Sequence, residues 1–232
     1  MTIQENLQAI NQRIAAACAR AGRNPAEVRL VAVSKTKPAA MIDEAAAAGQ
    51  QLFGESYAQE FSAKAEEVSS AVEWHFIGGL QTNKVKYLRS KVSLIHSVDR
   101  LSLAREIDRQ WGKLGRRVDV LLQVNLGGEE SKSGTEAAEL EELARQVARL
   151  PNLRIRGLMT LPPWCDDPEE VRPFFRQLHQ LAEGLAKLAI PGVEMRELSM
   201  GMSHDFEVAV EEGATLVRVG TAIFGERQRA GG

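Results

Sequence analysis

Leu30-Val31-Ala32-Val33-Ser34-Lys35 opens with four consecutive apolar residues and closes on a cation. An unbroken apolar run leaves no polar face for water. That is the pattern of a strand in a parallel sheet with helices on one side and a closed interior on the other. The full stretch spans 28–34, and seven comparable runs follow at 51–56, 74–78, 94–98, 118–125, 155–160, 197–201 and 216–220. Helical patterns separate them. Residues 38–48 are Ala-rich and stop at Gly49; 57–68, 101–114, 136–150 and 168–188 are longer and charged on one side; 204–212 stops at Gly213. The interval 81–91 is weaker, with Val85 and Leu88 as its inward face. Alternating strand and helix marks an α/β protein, and eight strands in 232 residues favour a closed (β/α)8 TIM barrel over an open sheet.

Upstream, Ile3, Leu7, Ile10, Ile14, Cys18 and Ala21 recur at three- and four-residue intervals, which predicts a helix ending before Gly22. It forms an N-terminal helical extension, residues 1–24, within one domain spanning 1–232. After the eighth strand only a short 221–224 segment and a charged tail, 226–232, remain. These are too short for a full outer helix, so the N-terminal helix is expected to cover that side of the barrel.

Lys plus Arg number 29 against 31 Asp plus Glu, a net charge of -2, so no excess of positive charge favours nucleic acid. Cys18 and Cys165 are far apart and lack metal-knuckle spacing, which reads as two reduced thiols in a cytoplasmic protein with no metal. No apolar stretch has the length of a secretory signal or a membrane span.

Lys35 follows the first strand directly, at what would be the catalytic face of a barrel. A lysine amine there can form an imine with an aldehyde; a solvated strand-end lysine or a phosphate ligand is the more ordinary reading. Lys37, just before Pro38, fits a surface lysine at a helix start. Ser199-Met200-Gly201-Met202-Ser203 ends the seventh run and Arg218-Val219-Gly220-Thr221 the eighth. Small residues let backbone N–H groups approach an anion, and barrels often seat phosphate between these two loops. The same glycines serve turns equally well, and the serines could cap backbone donors. Asp205 is positioned to cap the helix that follows.

Seven landmarks run in order along nearly the whole chain: Val33-Ser34-Lys35-Thr36-Lys37, Phe53-Gly54-Glu55-Ser56, Trp74-His75-Phe76-Ile77-Gly78, Ser131-Lys132-Ser133-Gly134, Arg156-Gly157-Leu158-Met159, Leu198-Ser199-Met200-Gly201-Met202-Ser203, and Val217-Arg218-Val219-Gly220-Thr221-Ala222-Ile223-Phe224-Gly225. Together they resemble the pyridoxal phosphate homeostasis family, also called the proline synthetase co-transcribed family. The resemblance implies a barrel like the N-terminal domain of alanine racemase, with pyridoxal 5'-phosphate held as a Schiff base on Lys35. It implies further that Arg218 faces the pyridine nitrogen, and that Gly220, Thr221 and Ser199 or Ser203 hold the phosphate. A fixed positive charge beside that nitrogen disfavours its protonation and weakens the cofactor as an electron sink. Ser56 stands where the family commonly has Asn, and Gly79 where it has Pro or Arg. The first change loses an amide donor, and the second is expected to loosen a loop.

Further pocket-lining residues are Ser56, His75, Met159, Met200 and Gly201, each with ordinary packing or hydrogen bonding as the rival reading; Met202 is weighed the same way. Asn83, Lys84 and Lys86 read as a solvated loop before an anion-binding rim. Ser131–Gly134 reads as a loop after the fifth strand, with Gly134 equally suited to a turn.

Racemases of this type resemble a two-domain arrangement whose second domain contributes a tyrosine. Tyr57 and Tyr87 fall in helical or loop segments, and no partner base for Lys35 is assigned. The expectation is therefore a cytoplasmic, non-membrane, non-enzymatic carrier for vitamin B6 homeostasis, able to deliver the cofactor to apo forms of pyridoxal-phosphate enzymes. A pyridoxal-phosphate-dependent amino-acid racemase is the alternative; a non-covalent phosphate-binding barrel is a third reading.

Overall fold

The computed structural model describes residues 1–89, 91–128 and 133–226; Ser131, Lys132 and nearly all of the expected 226–232 tail lie outside the described residues. Eight strands, β1 (Arg29–Val33), β2 (Leu52–Glu55), β3 (Glu73–Phe76), β4 (Leu94–Val98), β5 (Val118–Val124), β6 (Leu153–Thr160), β7 (Val193–Met202) and β8 (Leu216–Val219), follow one another around a closed barrel. All pairs are parallel, and β8 returns to β1 through Arg29↔Leu216 to Ala32↔Val219. The α-helices are α1 (Ile3–Arg20), α2 (Ala39–Ala47), α3 (Ala58–Glu67), α4 (Leu101–Gly112), α5 (Leu140–Val147), α6 (Arg172–Lys187), α7 (Phe206–Glu211) and α8 (Thr221–Phe224). Between β3 and β4 the crossover is a 3-10 segment, Thr82–Leu88, whose inward Val85 and Leu88 are fully buried.

Strand alternation divides the apolar residues into two layers. Val31, Val33, Leu52, Ile77, Leu94, Leu121, Met159 and Leu216 pack together inside the barrel. Leu30, Ala32, Phe53, Trp74, Phe76 and Ile95 face outward into a larger cluster shared with the helices. Three strands start earlier than their apolar runs. Glu73 belongs to β3, β6 begins at Leu153 and β7 at Val193, because the charged residues at these strand starts form an ionic layer at the N-terminal face. There Arg29 pairs with Glu73 at 2.5 Å, and Arg156 with Asp119 at 3.0 Å and Glu194 at 2.5 Å.

The N-terminal helix covers the side that lacks a long outer helix. It is started by a capping box between Thr2 and Glu5 and packs on α7, α8 and α2. Arg13 pairs with Glu207, Arg20 with Glu211, and Asn6 Nδ2 donates to the Ile223 carbonyl at 2.8 Å. Burial of Ile3, Leu7, Ile10 and Ile14 supplies roughly 1.5–3 kcal/mol for each side chain. Both cysteines are unbridged. Among the described residues no helix is long and apolar enough to cross a membrane, and no cluster of three or more His, Cys, Asp or Glu could hold a metal.

Candidate functional site at the barrel mouth

Lys35 lies in the turn two residues beyond the C-terminal end of β1, in sequence alternation with the inward Val31 and Val33. The turn after it is under strain: Thr36 has φ 62°, a conformation unfavourable for a β-branched residue. A buried clamp holds it. Lys64, on α3, donates to the Ser34 carbonyl at 2.8 Å, to Glu55 Oε1 at 2.7 Å and to Glu60 Oε1 at 2.6 Å. Glu60 accepts the Thr36 N–H at 2.6 Å, and Ser34 Oγ donates to Glu55 Oε1 at 2.6 Å. Burial pushes the Glu55 carboxyl up from its ordinary pKa against the pull of Lys64. In the sequence Glu55 stands out only as part of the Phe53-Gly54-Glu55-Ser56 landmark, and Lys64 does not stand out at all. Their pairing is invisible without the α3–barrel packing.

On the neighbouring strand, β8, Arg218 is buried on the same inward side. Its Nη1 donates to Ser199 Oγ, and its Nη2 donates to the Thr160 carbonyl at 3.0 Å. Burial pulls its pKa down to about 10, which leaves it charged at neutral pH. Ser199 is fully buried and also lies 2.8 Å from His96 Nδ1. Its hydroxyl is engaged on both sides, so it belongs beneath Arg218 rather than with the phosphate-holding residues expected from the sequence.

Ser203, Gly220 and Thr221 do come together. Gly220 N–H donates to Ser203 Oγ at 3.3 Å, Thr221 Oγ1 lies 3.4 Å from the same oxygen, and Gly220, the N-cap of α8, makes no side-chain cap bond of its own. A Cβ on Gly220 would lie 3.2 Å from the Val33 carbonyl, so the absence of a side chain lets this cradle approach the Lys35 strand. Lys37, expected as a surface lysine, secures the far end of α8. Its Nζ donates to the carbonyls of Phe224, Gly225 and Glu226 at 3.0, 3.0 and 2.8 Å. Asp205 precedes α7 without capping it and instead accepts the Met202 N–H at 2.5 Å, closing the loop that carries Ser203. The neighbouring His204 Nε2 lies 2.9 Å from the Asp166 carbonyl, which ties this loop to the one after β6.

The secondary candidates separate by layer. Met159 lies inside the barrel, and Ser56 is half-buried beyond β2. Met200 is withdrawn from the pocket: with Ser199 inward, alternation sends it into the outer core. Gly201 has φ 86° and faces α7, where a Cβ would lie 2.6 Å from Ala209 Cβ, so it serves packing. His75 points inward but sits below the mouth, bonded to Glu73 and His96. His96, at the next level, was not singled out from the sequence, although its alternation with the inward Leu94 was a usable signal. At Gly79 an added Cβ would meet only Ser133 Oγ, at 3.8 Å, so the loop has room for a larger residue. Gly134 adopts φ 139° beside the Val124↔Thr135 bridge, a turn role. Lys84 and Lys86 lie over the Tyr87 ring on the outer 3-10 segment, and Lys84 bonds Gln59. Tyr57 is exposed beside Ser56.

The amine, the buried arginine and the anion cradle suit a phosphorylated aromatic aldehyde: one group for the aldehyde, one for a ring acceptor, and one for the phosphate. Comparison with known proteins gives the same class. The alanine racemase N-terminal domain family matches residues 6–228. The pyridoxal phosphate homeostasis protein of Aquifex aeolicus (strain VF5) is 50% identical over 229 residues, covering 98% of this chain and 100% of that protein. PipY of Synechococcus elongatus PCC7942, whose structure was solved with PLP bound, is 40% identical with a TM-score of 0.84, covering 97% of this chain and all of its own. Alanine racemase of Corynebacterium glutamicum shares the fold at 18% identity and a TM-score of 0.66, the match taking in 62% of its chain. The chain belongs to the pyridoxal phosphate homeostasis protein family, built on the alanine racemase N-terminal domain.

Proposed function

We propose that this protein binds pyridoxal 5'-phosphate through Lys35 and acts as a carrier in vitamin B6 homeostasis rather than as an amino-acid racemase. The observation that carries the reading is the placement of Lys35, Arg218 and the Ser203–Gly220–Thr221 cradle on the adjoining ends of β1, β7 and β8. When bound, the cofactor supplies an electrophilic aldehyde and an electron-accepting ring. Lys35 supplies the amine that holds the aldehyde. Arg218 presents a fixed charge to the ring nitrogen and so limits carbanion stabilisation. Ser203 Oγ and the Gly220 and Thr221 N–H groups orient the phosphate. PipY with PLP bound and the homeostasis relatives support cofactor custody, and delivery to apo-enzymes is the use that custody would serve.

Borohydride reduction followed by intact-mass and peptide analysis is the direct test. A cofactor adduct on Lys35, lost in Lys35→Ala, is expected; an adduct elsewhere would overturn the site. Incubation with an acceptor apo-enzyme should restore its activity. Failure to transfer together with robust amino-acid turnover would reverse the choice between carrier and racemase.

A further inference from the structure

A buried polar chain descends through the barrel from Arg218. Ser199 Oγ lies 2.8 Å from His96 Nδ1, His96 Nε2 lies 2.9 Å from His75 Nδ1, and His75 Nε2 lies 3.0 Å from Glu73 Oε1. Ser199, His96 and His75 are essentially inaccessible. Glu73 and His75 line a cavity of about 240 Å³ at the N-terminal face, together with Arg29, Ser93, Asp119 and Arg156.

With both rings neutral, the carboxylate end fixes the direction of every link, because an ionised carboxylate has only acceptors. Glu73 Oε1 takes the proton on His75 Nε2, which leaves His75 Nδ1 an acceptor. His96 therefore carries its proton on Nε2, toward His75, and its Nδ1 is an acceptor in turn. Ser199 Oγ donates to that nitrogen and accepts from Arg218, which has only donors. An imidazolium at His75 would donate from both nitrogens and reverse the link through His96, moving the His96 proton to Nδ1 and taking away the acceptor of the Ser199 hydroxyl proton. His75 is faced by Glu73 on its own strand, Arg29 on β1, His96 on β4 and Glu197 on β7; His96 is faced by His75 and by Arg218 on β8. Burial is the largest influence and opposes charge on both rings; at His75 it outweighs the pull of Glu73 and Glu197 with a small addition from Arg29, and at His96 the His75 ring and Arg218 add to it.

We propose that His96 and His75 are positioning residues for Arg218, held as neutral Nε2–H tautomers in a one-way hydrogen-bond column that ends on ionised Glu73 at the opposite face of the barrel. The role of Arg218 toward the cofactor rests on the function proposed above; the direction of the column does not. The column commits the Ser199 hydroxyl and fixes the guanidinium plane. It also links the mouth to the state of the N-terminal-face cavity.

Long-range ¹H–¹⁵N correlation spectra of the histidine rings in the labelled full chain read the tautomers directly. Both buried rings should show the neutral Nε2–H pattern at pH 7, and Glu73→Gln, which keeps an acceptor, should preserve it. Glu73→Leu should disturb the His75 ring, shift the absorption of bound pyridoxal phosphate and weaken its binding about tenfold, the size expected when a hydrogen bond supporting a charged group is lost. His96→Phe should do the same to the cofactor. A proton on His96 Nδ1, or an imidazolium at His75, in the wild-type protein at pH 7 would overturn the column. Unchanged affinity and spectrum in folded Glu73→Leu and His96→Phe would overturn the coupling to Arg218. If the wild type binds no pyridoxal phosphate, the proposed function fails, and the ring spectra still decide the column.

Discussion

The ammonium of Lys64 lies 2.7 Å from the buried Oε1 of Glu55, and the same nitrogen holds the carbonyl of Ser34, the residue before Lys35. A helix residue thus sets the backbone of the barrel mouth. Removing the cation strands a carboxylate where water does not reach, whereas removing both charges does not. Lys64→Met is expected to cost about 3–5 kcal/mol in urea unfolding, with the Lys64→Met/Glu55→Gln double variant recovering a large part. Equal destabilisation by the single and double variants would show that the clamp is packing alone.

Acid should destabilise the protein in two stages. Burial holds the pKa of His75 and His96 below the ordinary imidazole value, so below about pH 6.5 the unfolded chain binds more protons than the folded one. Stability should fall by up to about 1.4 kcal/mol per pH unit for each ring. Glu73, held down to about 2, adds a further loss from about pH 4.5 downward. Glu55 and Asp205, whose pKa values burial raises, oppose this in the acid range, so the comparison must be with His96→Gln. Urea midpoints between pH 7 and 5 should fall more steeply for wild type than for the variant; parallel slopes would contradict a buried neutral His96.

Gly201→Ala tests the packing role given to this glycine. Its φ of 86° and the 2.6 Å approach to Ala209 Cβ both penalise a methyl group. A loss of about 1–3 kcal/mol in stability is expected, measured by thermal or urea unfolding. A neutral substitution would mean that α7 shifts freely.

Lys37→Met removes the donor to three carbonyls at the end of α8. Faster amide exchange confined to the segment around 221–225 is the expected signature, with a stability loss of about 1–2 kcal/mol. Unchanged exchange there would return Lys37 to the surface role its sequence position suggested.

The fold was legible because it rests on local patterns. Unbroken apolar runs such as Leu30–Val33 and their separation by helical stretches require no knowledge of contacts. What escaped was set by charge: Glu73 and the start of β7 read as non-strand because their polar side chains find partners only across the barrel floor. At the site, Lys35, Arg218, Gly220 and Thr221 were named from strand ends and family landmarks. His96, Lys64 and the true position of Ser199 were not, since each is defined by a partner at least 21 residues away or on another layer.

The sequence alone determined an eight-stranded α/β barrel with a helix before it and an amine at the end of its first strand, because periodicity and strand-end position are properties of neighbouring residues. Only the tertiary structure decided which side of each strand faces the axis and which hydroxyls are already committed. It also decided how the arginine at the mouth connects to a glutamate on the opposite face. Closing the barrel brings β3, β4, β7 and β8 around one axis, and hydrogen bonds form between the side chains that meet there.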